Sequence, residues 1–238
     1  MLVLDDFGSE RPLVAAVFFV AAYLVGVMAF AVMARRRGIA TNGIAVLASA
    51  GLLGGAFGAQ VLQSLFGGVP GKSLLGGVAA GCLAVVYAKA RLGIRRPTGD
   101  LFAVAIAAGE AVGRIGCLFA GCCYGRATTV AWAVYDHGAW RHPTQIYSSV
   151  AAAATLAVLI ALERRRVLPD NGLFYVQGLL LCGSRFGIEF MRDVPVTAIG
   201  LTTAQIACAA GALFFAGRLV RMLRLQVGHL GGALAVRA

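Results

Sequence analysis

The chain has 238 residues, of which 60% are hydrophobic and 13% charged, with a net charge of +11. Soluble domains lie at about 45–50% apolar and about 25% charged, so the composition excludes an ordinary soluble domain and marks an integral membrane protein. A helix needs about 20 apolar residues to cross hydrocarbon, so roughly seven spans exhaust the length.

The first span, 13–34, follows Asp5, Asp6 and Glu10 instead of a basic stretch, and it is longer than the apolar core of a secretory leader. The second and third, 43–66 and 72–91, are rich in glycine. Gly51/Gly55, Gly54/Gly58 and Gly77/Gly81 have the small-xxx-small spacing of close helix pairs, although 32 glycines produce such matches by chance. Spans four to seven are 98–120, 144–163, 171–192 and 197–219. There is no internal repeat and no linker, so one all-α transmembrane domain over 1–238 is expected.

The basic residues supply an orientation. Arg35–Arg37 follow span one, and Lys89, Arg91, Arg95 and Arg96 follow span three. Arg164–Arg166 follow span five, and Arg218, Arg221, Arg224 and Arg237 follow span seven. The opposite side carries only Arg11, Lys72, Arg126, Arg141 and Arg192. By the positive-inside rule the N-terminus lies outside and the C-terminus inside. The excess positive charge is therefore a topology signal, helped by anionic lipid, and nucleic acid is not an expected partner.

This orientation brings polar chemistry from four segments to one depth. Spans four and six both run outward, so Arg114 and Arg185 fall in the outer half of the membrane. Lys72 and His142 lie at the outer surface. An arginine near mid-bilayer costs about 2.5–3.5 kcal/mol on insertion scales. Glu110/Arg114 and Arg185/Glu189 each have i,i+4 spacing and share a helical face. One reading is a pair of structural salt bridges. The sharper one is an anion site built from two guanidiniums, whose planar forks match phosphate or carboxylate. In an outer leaflet the abundant anion is a phospholipid head group.

Several stretches then share a resemblance. Gly113-Arg114-Ile115-Gly116 is followed by Gly121 and Tyr124-Gly125-Arg126. His142-Pro143-Thr144-Gln145-Ile146-Tyr147 forms a second block. Gly172-Leu173-Phe174 runs on to Arg185, Glu189 and Arg192, and Gly76-Gly77 is a fourth, shorter block. In this order they resemble the bacterial prolipoprotein diacylglyceryl transferases, which also have seven spans with the N-terminus out. The resemblance implies transfer of the diacylglyceryl group of phosphatidylglycerol to the thiol of a lipobox cysteine in a prolipoprotein signal peptide, at the bacterial plasma (inner) membrane. It implies catalytic or head-group-binding roles for Arg114 and Arg185; His142 is read as either a substitute proton acceptor or a structural turn residue ahead of Pro143. Glu189, Gly116, Gly125, Arg126, Gly76, Gly77, Cys117 and Tyr147 are implied on the substrate side. No metal or cofactor is called for.

The chain also departs from that family. Leu75 stands where a histidine precedes the glycine pair, Cys117 where an asparagine is usual, Cys122 where an acid is usual, and Leu181 where a tyrosine is usual. Leucine cannot accept a proton, which leaves His142 as the best-placed base. Two other function classes stay open: a non-catalytic lipid-binding or transport bundle, and a membrane thiol oxidoreductase using Cys117, Cys122 and Cys123. Those cysteines read as packing or a loop staple, with redox chemistry or metal capture as the alternative. Cys82, Cys182 and Cys208 read as small apolar packing residues. The stretch 127–141, with Trp132, Tyr135 and Trp140, is expected as an interfacial loop or a lid, with Asp136 and His137 solvated.

Overall fold

The computed structural model describes residues 11–39, 42–66 and 74–235. Lys72 and the side chain of Leu75 lie outside the described residues. Seven helices follow the seven expected spans: α1 Pro12–Arg36, α2 Asn42–Phe66, α3 Leu74–Leu92, α4 Gly99–Phe119, α5 Thr144–Arg165, α6 Gly172–Glu189 and α7 Thr203–Ala235. A two-stranded hairpin, β1 Val134–Asp136 and β2 Ala139–Arg141, interrupts them after α4. Among the described residues, five helices are long and apolar enough to cross a membrane: Pro12–Arg36, Gly43–Val61, Gly99–Phe119, Thr144–Arg165 and Thr203–Gln226.

The helices form two compact units. One contains the residues through Ala29 and from Thr98 onward; the other is Phe30–Pro97. In the second unit α2 and α3 pack through glycine. A Cβ at Gly77 would lie 3.1 Å from the Gly55 carbonyl, and one at Gly81 would lie 3.2 Å from that of Gly51. The small-residue spacing is thus a true helix contact, because only hydrogen side chains let backbones approach this closely in lipid. In this unit Gly76 and Gly77 serve packing: the Gly76 carbonyl lies against the face of Gly58.

In the first unit α4 packs on α5 and α6, α5 on α6, and α6 on α7. The partition of polarity is inverted relative to a soluble protein. Leu13 is 83% exposed and Leu213 77%, while Thr144, Gln145, Gln177, Gln205, Asp100 and Glu189 are buried. Apolar side chains facing outward and polar ones inward suit a hydrocarbon solvent, where every polar group must find an internal partner. The protein is a multi-pass, all-α membrane protein.

Two polar clamps set the helix ends. Asp100, in the first turn of α4, accepts hydrogen bonds from the backbone N–H of Asn171 (2.9 Å) and Phe174 (3.0 Å), and Asn171 Oδ1 accepts from Gly99 N–H (2.9 Å). Two helix N-termini are thereby capped by one reciprocal contact, as buried orphan N–H groups require. The start of α7 differs from expectation. Apolar content alone puts the span's start at 197, but the helix starts at Thr203, because Thr202 and Gln205 form a capping box: Gln205 N–H donates to Thr202 Oγ1 (3.1 Å) and Thr202 N–H to Gln205 Oε1 (2.9 Å). The residues ahead of it form a turn closed by Thr197 Oγ1 on the Leu201 carbonyl.

The outer stretch 127–141 also departs from a plain loop. His137 and Gly138, at φ +48° and +74°, make the tight two-residue turn that matches strand twist. Tyr135 and Trp140 pair edge-to-face across the strands, with centroids 5.5 Å apart. Asp136, expected in solvent, is buried and meets His137 Nδ1 at 2.6 Å.

Candidate active site

A cleft between α4, α5 and α6 gathers three of the charged residues predicted from the sequence, Glu110, Arg114 and Arg185. Its walls include Glu110 and Arg114 from α4, Ser148 and Thr155 from α5, and Gln177, Ser184 and Arg185 from α6, with Leu181 and Ile188 as apolar wall. The two arginines of the anion-site reading therefore face one space. Each is held on its own helix by a carboxylate one turn away. Arg114 donates from Nε (3.1 Å) and Nη2 (2.8 Å) to Glu110 Oε1, and Arg185 Nη2 lies 3.0 Å from Glu189 Oε2.

Neither arginine is sealed off: the side chains of Arg114 and Arg185 keep 16% and 15% of their surface. Glu189 keeps 3% and is shared. Arg192 Nη1 reaches its Oε2 at 3.3 Å, and Thr202 Oγ1 donates to its Oε1 at 3.3 Å. Among the described residues, Arg185 Nε and Arg192 Nε are buried with no hydrogen-bond partner. A buried unpaired donor costs about 1–3 kcal/mol, and more when charged, so this arrangement stores a demand for an acceptor. Three guanidiniums stand against two carboxylates, which leaves a net positive region for an anion.

At the outer end of α4 the chain turns sharply. Gly121 and Cys123 sit at φ +61° and +63°, the latter a strained conformation for a residue with a Cβ. The His142–Tyr147 block holds this turn: Thr144 Oγ1 donates to the Cys123 carbonyl (2.6 Å) and Gln145 Nε2 to the Cys122 carbonyl (2.9 Å). As a result the sulfurs of Cys117, Cys122 and Cys123 lie within 4.8 Å of one another, all three as free thiols. Hydrogen bonds from Cys117 and Cys122 hold the Cys123 thiol well below the usual cysteine range, and the Arg192 and Arg114 guanidiniums add to the effect. Hydrogen bonds with Cys117 and Cys123, together with burial, push Cys122 up.

The remaining predicted residues build the support. Gly125 donates its N–H to the His142 carbonyl (3.1 Å) and bridges Arg192, while Arg126 N–H donates to the Met191 carbonyl (2.8 Å) and Arg126 Nε to that of Arg192 (3.1 Å). A side chain at Gly125 would strike the carbonyls of His142 and Met191. Arg141 braces the same loop, donating to the Gly125 carbonyl (3.2 Å) and pairing with Asp193 (2.7 Å), its guanidinium 4.8 Å from the Tyr124 ring centre. His142 Nδ1 lies 3.2 Å from Tyr147 Oη, which accepts from Trp132 Nε1 at 2.7 Å. Gly116 faces α1, where an added Cβ would meet Phe18 and Phe19 at 3.0–3.1 Å. Gly76 and Gly77 belong to the α2–α3 unit described above.

Comparison with known proteins gives the family. The profile of the prolipoprotein diacylglyceryl transferases matches residues 14–221. The chain belongs to this family. It is 33% identical over 135 residues to the phosphatidylglycerol–prolipoprotein diacylglyceryl transferase of Geobacter sulfurreducens, covering 55% of this chain and 52% of that protein. The protein of the same name from Idiomarina loihiensis is 34% identical over 139 residues, or 55% and 50% of the two chains, and that of Aliarcobacter butzleri is 30% identical over 106 residues, or 44% and 39%. The chain thus spans about half the length, or less, of these relatives.

Sequence reasoning missed part of this cleft. Gln177, in the cleft wall, carries no motif of its own, and only its burial in the fold marks it. Thr202 and Gln205 did carry a readable signal, the T-x-x-Q spacing of a capping box. The departures at Cys117 and Cys122 prove to be one spatial feature together with Cys123, and Leu181 presents an apolar wall to the cleft.

Proposed function

We propose that the protein transfers the diacylglyceryl group of phosphatidylglycerol to the thiol of a lipobox cysteine in a secreted precursor. The setting is the outer face of the bacterial plasma membrane, with the N-terminus outside. The reading rests on family membership and on one observation: Arg114 and Arg185 line the same cleft, and Arg185 Nε is buried there without a partner. A phosphodiester carries one negative charge and free acceptor oxygens, which answers both the net charge and the orphan donor.

The chemistry follows from the charges. A thiolate attacks the glyceryl carbon, the C–O bond to phosphate breaks, and glycerol phosphate leaves. As the bond breaks, negative charge builds on the phosphate oxygens. Guanidiniums fixed beforehand by Glu110 and Glu189 meet that charge without reorganising. Glu189 orients Arg185 and Arg192 together, and Gly125 and Arg126 tie the outer loop to the end of α6. His142 accepts the thiol proton by way of Tyr147.

The test is direct. Purified protein is incubated with phosphatidylglycerol and a lipobox peptide, and the peptide is examined for the mass of one diacylglyceryl group on cysteine. The product is expected with the parent and not with a Cys-to-Ser peptide. Lipid bound tightly without product would overturn transfer in favour of a non-catalytic lipid-binding bundle.

A further inference from the structure

The thiol cluster at the outer end of α4 is not used by the chemistry above. Thiolates around a tetrahedral zinc ion stand about 3.8 Å apart, given Zn–S bonds of about 2.3 Å. Cys117, Cys122 and Cys123 already hold their sulfurs within 4.8 Å of one another. They are held there by a left-handed turn at Cys123 and by side-chain bonds from Thr144 and Gln145 to the two neighbouring carbonyls. Among the described residues no fourth Cys, His, Asp or Glu completes the group. Three protein ligands with an open fourth position are the pattern of reactive zinc sites, whereas structural sites are closed by four. The guanidiniums of Arg114 and Arg192 act electrostatically on Cys123, and that of Arg114 on Cys117, so a three-thiolate complex with its net negative charge has cations beside it. Arg114 also lines the phosphate cleft, which places the cluster beside the reacting region.

We propose that Cys117, Cys122 and Cys123 bind Zn²⁺ and that its open position takes the acceptor thiol. The second half of this statement rests on the transfer reading; the first does not. A thiol bound to zinc is deprotonated outright. The incoming cysteine displaces a metal-bound water, and its proton passes to the Tyr147–His142 pair. A sulfur electron pair then forms the C–S bond as the C–O bond to phosphate breaks. The bonding pair of that C–O bond remains on the phosphate oxygen, facing Arg114 and Arg185. The thioether is a weak metal ligand, so it leaves and water returns. Zinc is not oxidised or reduced. The metal supplies the thiolate where this chain has leucine in place of a histidine.

The full chain is purified in detergent without oxygen, with a phosphine reductant, and titrated with Co²⁺ as an optical stand-in for Zn²⁺. A thiolate-to-cobalt charge-transfer band saturating at one equivalent and bleached by Zn²⁺ is expected. It should disappear in Cys117→Ser, Cys122→Ser and Cys123→Ser and persist in Cys182→Ser and Cys208→Ser. No band in the reduced parent overturns the site whatever the fate of the variants, and so does a band that survives in the triple variant. A lipobox peptide should shift the cobalt ligand-field bands, and its Cys-to-Ser version should not; a parent whose bands ignore both peptides overturns the open position. Transfer that continues undiminished after chelator has stripped the metal defeats this mechanism while leaving the transfer reading intact. A peptide-dependent band shift with no thioether formed does the reverse.

Discussion

Replacing Arg185 by alanine separates substrate binding from folding. The change removes Nη2 from Glu189 Oε2 at 3.0 Å and removes the buried Nε that has no partner. Glu189 is not stranded, because Arg192 Nη1 and Thr202 Oγ1 each remain 3.3 Å away. The loss to folding is one charged hydrogen bond, about 1.5–3 kcal/mol, less the relief of the orphaned Nε at about 1–3 kcal/mol, so the two nearly cancel. The loss to turnover is larger, because the donor also meets the additional negative charge that builds on the phosphate as the C–O bond breaks. One such donor contributes about 2.7–4 kcal/mol, or about 10²–10³-fold in rate. Arg185→Lys returns the charge without the planar fork and should recover only part of this, remaining about tenfold below the parent for one missing hydrogen bond of about 1.4 kcal/mol. The assay is product formation on the lipobox peptide by mass spectrometry, with thermal unfolding in detergent run in parallel. Turnover by Arg185→Ala close to the parent rate, in protein that melts normally, would refute the reasoning.

Other substitutions report on the supports. Glu189→Gln leaves two guanidiniums around a neutral amide at a position with 2% exposure, and it should destabilise by about 3–5 kcal/mol, seen as a lowered unfolding midpoint. Asp100→Ala removes both caps on Asn171 and Phe174 and should lower stability by about 3 kcal/mol, with Asp100→Asn less severe; the protein that remains folded should turn over normally, since Asp100 is not among the cleft-lining residues. Gly125→Ala drives a methyl into the His142 and Met191 carbonyls, with an expected overpacking cost of about 1–3 kcal/mol and a fall in turnover, checked by melting and by the same product assay.

Much of the architecture was readable from hydropathy and charge. Spans four and five were placed within two residues of α4 and α5, because lipid imposes a length and an apolar content that no other rule overrides. The paired charges at Glu110/Arg114 and Arg185/Glu189 were legible because helical spacing fixes which residues share a face. The start of α7 was misplaced because apolar content cannot distinguish Val196 and Ile199 in a turn from the same residues in a helix, and a polar cap at Thr202 and Gln205 decided the boundary. The sequence of 127–141 fits an interfacial loop or a lid and does not announce the hairpin at 134–141, because its turn signal, His137-Gly138, is weaker than an Asn-Gly pair. Asp136 was placed in solvent because an acid in an outer segment ordinarily lies there, and only the folded hairpin buries it against His137.

The sequence alone determined that the chain lives in a membrane, how many helices it has, and which helix faces carry charge, since these depend on composition and on a period of 3.6 residues. Tertiary structure decided that Arg114 and Arg185 share one cleft, that Thr144 and Gln145 hold the cysteine turn, and that the Cys117 sulfur comes within 4.8 Å of those of the adjacent Cys122 and Cys123. Those facts depend on how α4, α5 and α6 rotate against one another and on which carbonyls a turn leaves free. Both are settled by packing among distant residues, which local periodicity does not encode.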